Sequence, residues 1–117
     1  MKKEFRIKKN TEFQHVFKKG KSFANRQLVI YYVQKQDQEH FRVGLSVGVK
    51  IGNAVTRNRI KRYLRQAFQE LNDSILYPHD IVIIARQPTK DMEFTEIKKS
   101  VAHLLYKEHL LKSTNGD

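Results

Sequence analysis

The segment DIVIIAR, residues 80–86, constrains the fold more than any other part of the chain. Its continuous apolar run has no polar side, which predicts a central strand that is covered on both faces or paired in parallel. Such a strand needs neighbouring strands and helices packed on the sheet. The chain has 117 residues, enough for a single domain, residues 1–117, with its own core.

Two further strands are predicted before this central one. Residues 27–34, QLVIYYVQ, are rich in β-branched and aromatic side chains. In residues 41–48, FRVGLSVG, every second residue is a large apolar one. On a strand these residues share one side and the remaining residues share a second side, as in a strand with one buried face. Gly44 and Gly48 fall on the second side, where a glycine allows another backbone to approach closely or marks a bulge.

Three helices complete the predicted domain, at about residues 10–19, 53–71 and 92–109, with a basic loop following the first at Gly20. The order α-β-β-α-β-α predicts an α/β (α+β) two-layer sandwich in which helices pack on one mixed sheet. Residues 1–9 form a basic N-terminal segment, and residues 112–117 form a polar tail.

Composition narrows the possible partners. The chain carries 23 Lys and Arg against 12 Asp and Glu, a net charge of +11, which favours a polyanion: nucleic acid first and an anionic membrane surface second. Cysteine is absent from the sequence, which excludes thiolate catalysis and thiolate zinc sites. No stretch is apolar enough for a membrane span or a signal peptide, so a cytoplasmic location is expected.

The segment RNRIKRYLR, residues 57–65, places five cations in nine residues without an acid. On a helix, Ile60 and Leu64 fall on one side and most of the cations on the other. Like charges four residues apart repel by about 0.2–0.5 kcal/mol per pair, and no acid occurs between Glu39 and Glu70. A solvated surface is one interpretation. The uncompensated charge favours another, a surface neutralised by RNA or DNA phosphates.

No catalytic or metal site is predicted in the protein. The five histidines lack metal-ligand spacing, and Gly20-Lys21-Ser22 lacks the first glycine of a phosphate-binding loop. We therefore expect no metal or cofactor bound by the chain alone.

The segment SVGVKIGNAVTRNRIKR, residues 46–62, closely resembles the signature of the bacterial ribonuclease P protein subunit. Residues 24–26, Ala-Asn-Arg, and residues 84–86, Ile-Ala-Arg, extend the resemblance over nearly the whole chain. It implies a basic subunit that joins a catalytic RNA and promotes removal of the 5′ leader from precursor tRNA. It also implies that the RNA holds the active site and its magnesium ions, and that the strand-helix-strand crossover is left-handed.

The resemblance also implies two sets of site residues. The predicted contacts with the catalytic RNA are Lys50, Asn53, Arg57, Asn58, Arg59, Lys61, Arg62 and Arg65. The predicted contacts with the single-stranded leader are Phe13, Phe17 and Tyr31, although the spacing of the two phenylalanines equally suits a helix packed on a sheet. The family commonly has Ser-Lys-Lys where this chain has Gly48-Val49-Lys50, so one hydroxyl and one cation are missing beside the helix.

Other classes of protein share some of these features. A basic ribosomal protein would bind one structured RNA without a leader groove. A DNA-binding regulator would insert the basic helix into a major groove and read bases with a few side chains. Neither class accounts as directly for aromatic residues and a basic stripe on separate elements, so no DNA partner is expected. An amphipathic membrane binder is disfavoured because Phe68 and Leu71 are needed for the core, so no membrane partner is expected either.

Overall fold

The computed structural model describes residues 2–76 and 78–112. The helices are α1 (Asn10–Lys19), α2 (Ala54–Leu71) and α3 (Phe94–Lys107), and the strands are β1 (Lys21–Ala24), β2 (Leu28–Gln34), β3 (Arg42–Ser46) and β4 (His79–Ala85). The predicted polar tail lies outside the described residues, apart from Lys112.

The strands form one mixed sheet in the order β1-β2-β4-β3. β2 is antiparallel to both β1 and β4, and β3 is parallel to β4, to which α2 connects it. The central position predicted for the apolar strand β4 is therefore confirmed. The handedness of the β3-α2-β4 crossover stays a prediction.

The predicted order lacked strand β1. The basic loop expected after Gly20 is a four-residue strand at the sheet edge, where Ser22 pairs with Tyr31. Phe23 packs against the main core, and the other three side chains of β1 are exposed. A short edge strand with polar side chains has no hydrophobic alternation to reveal it.

Helices cover both faces of the sheet. Ile81 and Ile83 belong to the main core with α2 and α3, whereas Val82 packs with Val16 of α1 in a second cluster. Successive side chains of a strand point to opposite faces, so α1 lies on the face opposite to α2 and α3. The predicted mixed sheet with helices packed on it is confirmed, and α1 adds a layer on the second face.

An ionic network fixes α1 to the sheet. Arg42 of β3 donates through Nε and Nη2 to both carboxylate oxygens of Asp80, at 2.9 and 2.7 Å, and through Nη1 to Glu12 of α1, at 2.8 Å. The side chain of Asp80 is only 2% exposed. Burial raises the pKa of Asp80, but hydrogen bonds from Arg42 and Gln38 outweigh it and leave the pKa below its usual value.

Candidate nucleic-acid interface

Helix α2 presents the basic face because its opposite side is fixed in the core. Ile60, Leu64 and Phe68 are fully buried. Asn53 begins the helix as its N-cap, and its Oδ1 accepts a hydrogen bond of 2.9 Å from the backbone N–H of Thr56. The side chain of Asn53 therefore has a structural role in addition to any contact with RNA.

The cations of α2 have no carboxylate partner among the residues that the structure describes. The ion pairs found there are Lys35 with Asp37, Arg42 with Glu12 and Asp80, and Lys98 with Glu70. Glu70, the only acid of α2, is thus paired with Lys98 of α3, at 2.9 Å. Within the described part of the chain, the basic face is therefore not neutralised by carboxylates, as the sequence predicted.

Two arginines of this face also hold neighbouring loops. Arg57 donates from Nε to the carbonyl of Gly52 at 3.1 Å, and Arg59 donates from Nη2 to the carbonyl of Lys90 at 2.6 Å. Gln87 donates to the carbonyl of Lys50 at 2.9 Å. The loop before α2 is therefore fastened to the turn after β4, and each guanidinium keeps other N–H groups for an external acceptor.

The predicted RNA-binding residues differ in exposure. Lys50, Asn53, Asn58 and Arg62 are exposed, whereas Arg57, Arg59, Lys61 and Arg65 are half-buried. Arg62 also lies over the ring of Tyr63, 5.6 Å from its centroid. The structure places all eight on α2 or the loop before it.

One cation of this surface was not predicted from the sequence. Arg6, in the N-terminal segment, lines a recess together with Asn58, Arg62 and Arg65 of α2. Burial lowers the pKa of Arg65, and the nearby charge of Arg6 lowers it further. No local pattern could have indicated this proximity, because it depends on where the N-terminal segment docks.

The three aromatic residues predicted to bind the leader lie together between α1 and the sheet. The rings of Phe17 and Tyr31 meet edge to face, with centroids 5.0 Å apart. Phe13 lies against Gly44 of β3, so closely that a Cβ at Gly44 would be 2.5 Å from its ring. All three side chains are half-buried. They both pack α1 onto the sheet and keep part of their surface accessible.

The glycines of β3 and the following loop therefore act differently from the prediction. Gly44 admits an aromatic ring rather than another backbone, and it is buried. A Cβ at Gly48 would meet nothing within 4 Å among the described atoms, so no close approach requires a glycine there.

Beside α1, the sheet face remains partly open. The pairing register puts Tyr31 and Ser22 on the same face as Val29 and Ile84. Val29 and Ile84 are half-buried, and Ser22 is exposed, so α1 does not cover this part of the sheet completely. We call this partly covered strip of the sheet, together with Phe13, Phe17 and Tyr31, the aromatic groove; it lies on the face of the sheet opposite to α2.

Among residues 2–76 and 78–112, no helix has the length and apolar character needed to cross a membrane. The same described residues contain no group of three or more His, Cys, Asp or Glu side chains that could hold a metal ion.

The fold and these two surfaces define a small basic α+β protein with an uncompensated cationic helix and a separate aromatic groove. The protein-family profile described as Ribonuclease P matches residues 1–109. The Ribonuclease P protein component of Oceanobacillus iheyensis is 70% identical over 116 residues, which cover 99% of this chain and 96% of that protein. The corresponding protein of Listeria welshimeri is 57% identical over 112 residues, covering 96% and 94%.

Solved structures agree with the sequence comparisons. The Staphylococcus aureus RNase P protein matches with a TM-score of 0.86 and 47% identity, covering 92% of this chain and 98% of that one. The chain belongs to the bacterial ribonuclease P protein family. This family supplies the protein part of an endoribonuclease ribonucleoprotein that processes tRNA, so an RNA partner is implied. The predicted family and function are therefore confirmed, and they are supported in preference to the ribosomal alternative.

Proposed function

We propose that the chain binds the catalytic RNA of ribonuclease P through α2 and the loop before it, and the 5′ leader of precursor tRNA through the groove beside α1. The observation that carries this proposal is the separation of the two surfaces on opposite faces of one sheet, since both RNAs can then bind together. In this proposal the catalytic RNA holds the active site and its magnesium ions, and the protein acts in the cytoplasm without a DNA or membrane partner.

Phosphate contacts account for the cationic face of α2. Each phosphate neutralised by Lys or Arg releases counterions, so about five contacts give a log-log salt slope of roughly 3.5–4.5 for RNA binding. Phosphates would also relieve the repulsion between cations such as Arg57 and Lys61, which lie one helical turn apart.

Stacking accounts for the aromatic groove. A base stacked on an aromatic ring contributes about 1–3 kcal/mol, whatever the identity of the base. The rings of Phe17 and Tyr31 are held in place by their edge-to-face contact, so they offer a preformed surface. Leaders of different sequence could therefore share one groove.

The experiment compares one variant from each surface in binding and cleavage assays. Arg62→Glu is expected to weaken assembly with the catalytic RNA for every substrate, because it reverses an exposed charge of the basic face. Tyr31→Ala is expected to weaken the binding of precursor tRNA with a long leader by about tenfold, since one stack is lost, and to leave mature tRNA unaffected.

Lys107→Glu is the matched control for Arg62→Glu, because Lys107 is an exposed cation in the last turn of α3. It should retain normal assembly. Equal losses for precursor and mature tRNA in the Tyr31→Ala variant would contradict the assignment of the groove to the leader.

A further inference from the structure

Arg6 is held beside α2 by its backbone. Its segment pairs in parallel with Val43 of β3, and the backbone N–H of the next residue, Ile7, donates to the carbonyl of Val43 at 3.0 Å. Ile7 is itself buried in the cluster beneath α1. The position of Arg6 is therefore set by the fold, and its side chain reaches the recess next to α2.

The recess is strongly cationic. Arg6, Arg62 and Arg65 line it, and its one acid, Glu70, already pairs with Lys98. Asn58 adds an amide, which can donate to an anion. Its volume of about 680 Å³ and its open mouth leave ample space for a group attached to a large molecule.

The arrangement is unfavourable for the free protein. The Nε–H of Arg6 is buried without a hydrogen-bond partner among the described residues. Leaving such a donor unsatisfied is costly, and more so when the group is charged. Arg6 also acts on Arg65 as a like charge, and together with burial it lowers the pKa of that guanidinium. A partner that accepts hydrogen bonds and carries negative charge would correct both defects.

We propose that this recess binds one backbone phosphate of the catalytic RNA, held jointly by Arg6 and Arg65, with Arg62 and Asn58 at its mouth. The choice of the catalytic RNA as the source of the phosphate rests on the proposed function of α2. A phosphate offers several acceptor oxygens, which match the forked N–H groups of two guanidinium groups. The N-terminal segment thereby becomes part of the same RNA-binding surface as α2.

The first test is Arg6→Gln, assayed for binding to the catalytic RNA without precursor tRNA. Affinity should fall about 10- to 100-fold, as expected for the loss of a charge-assisted contact, and the log-log salt slope should fall by about 0.7–0.9. The thermal midpoint of the free variant should stay the same or rise, because a buried Nε–H without a described partner and a cation beside Arg65 are both removed. A side chain needed only for packing would instead lower the midpoint.

Two controls make this result specific. Lys107→Gln removes one exposed charge that does not line the recess and should change affinity less than twofold. Arg6→Lys keeps the charge but lacks the Nε–H and the planar fork, so it should restore only part of the affinity. Full restoration by lysine would contradict a contact that depends on guanidinium geometry.

A double variant tests whether Arg6 and Arg65 share one phosphate. If they do, Arg6→Gln combined with Arg65→Gln should lower affinity by less than the product of the two single losses. Losses that multiply would mean two separate contacts and would overturn the shared site. A loss for Arg6→Gln that appears only with precursor tRNA would assign the phosphate to the substrate and overturn the proposed source.

Inorganic phosphate tests the site apart from the proposed function. Phosphate should raise the thermal midpoint of the wild type more than that of Arg6→Gln, whereas Lys107→Gln should respond as the wild type does. Equal stabilisation of wild type and Arg6→Gln would overturn the site. Phosphate stabilisation that depends on Arg6, together with no binding of the catalytic RNA by the wild type, would uphold the site and reject the proposed function.

Discussion

Replacement of Gly44 by alanine tests how the groove is built. The added Cβ would lie 2.5 Å from Cζ and 2.6 Å from Cε1 of Phe13. Carbon atoms in favourable contact are about 3.5–4.0 Å apart, so the ring must move by about 1 Å. Gly44 is paired with Val82 in the parallel part of the sheet, which limits movement of its own backbone. The displacement therefore falls on Phe13 and on α1.

Overpacking of this kind typically destabilises a protein by about 1–3 kcal/mol. For a domain of this size, each kcal/mol corresponds to about 4 °C in the thermal midpoint, so Gly44→Ala should lower the midpoint by about 4–12 °C. The matched control is Gly48→Ala. Gly48 has φ −71° and ψ 158°, and a Cβ there would meet no described atom within 4 Å. That substitution should stabilise the fold by about 0.4–1 kcal/mol.

The assay is thermal unfolding of both variants, followed by binding of precursor and mature tRNA to the assembled ribonucleoprotein. Gly44→Ala should weaken precursor binding selectively, because it shifts an aromatic wall of the groove. In a Phe13→Ala background the clash is removed, and Gly44→Ala should then destabilise by much less. An equal loss of stability with and without the Phe13 ring would refute the assigned contact.

Further predictions concern the ionic network and the basic face. Asp80→Asn should lower the free energy of unfolding by about 2–3 kcal/mol in urea unfolding, because the half-buried guanidinium of Arg42 loses its buried, charged acceptor. The pKa of Asp80 is lower in the folded state than in the unfolded chain. The stabilisation that the Asp80 carboxylate contributes is therefore present above about pH 4 and is lost as the pH falls further. Unfolding measured as a function of pH should show the loss of this contribution in the wild type but not in Asp80→Asn. Arg59→Ala should destabilise the free protein by about 1 kcal/mol in thermal unfolding, through loss of its hydrogen bond to the carbonyl of Lys90. Arg62→Ala should lower the midpoint less, since among the described residues it loses no hydrogen bond and only the contact with the ring of Tyr63, and its main effect should be weaker RNA binding.

Sequence patterns predicted the elements whose burial is periodic. The helix predicted at residues 10–19 matches α1, and β4 lies at the centre of the sheet as its apolar run required. The edge strand β1 could not be predicted, because its side chains are mostly exposed and it is held mainly by pairing with β2. Periodicity reports which side chains are buried, and an edge strand of four residues buries too few of them.

The two candidate sites also differ in how far they could be predicted from the sequence. Most of the cationic face was predictable because one helix carries it, and the helical period separates buried from exposed positions. Prediction of the groove required knowing which helix lies on which face of the sheet. Only the resemblance to a known family supplied that information. The contact of Phe13 with Gly44 and the proximity of Arg6 to Arg65 depend on tertiary packing between segments far apart in the sequence.

The two surfaces differ in how the fold supports them. Helix α2 rests on fully buried side chains of the main core, so its cationic face can carry unbalanced charge without loss of position. Helix α1 has ten residues and a single fully buried side chain, Val16, and isolated helices of that length are marginal in water. Its position depends on the link from Glu12 through Arg42 to Asp80 and on the ring of Phe13 against Gly44. The surface assigned to a structured RNA thus rests on the larger core, whereas the rings assigned to a leader of varying sequence are held by a few specific contacts between α1 and the sheet.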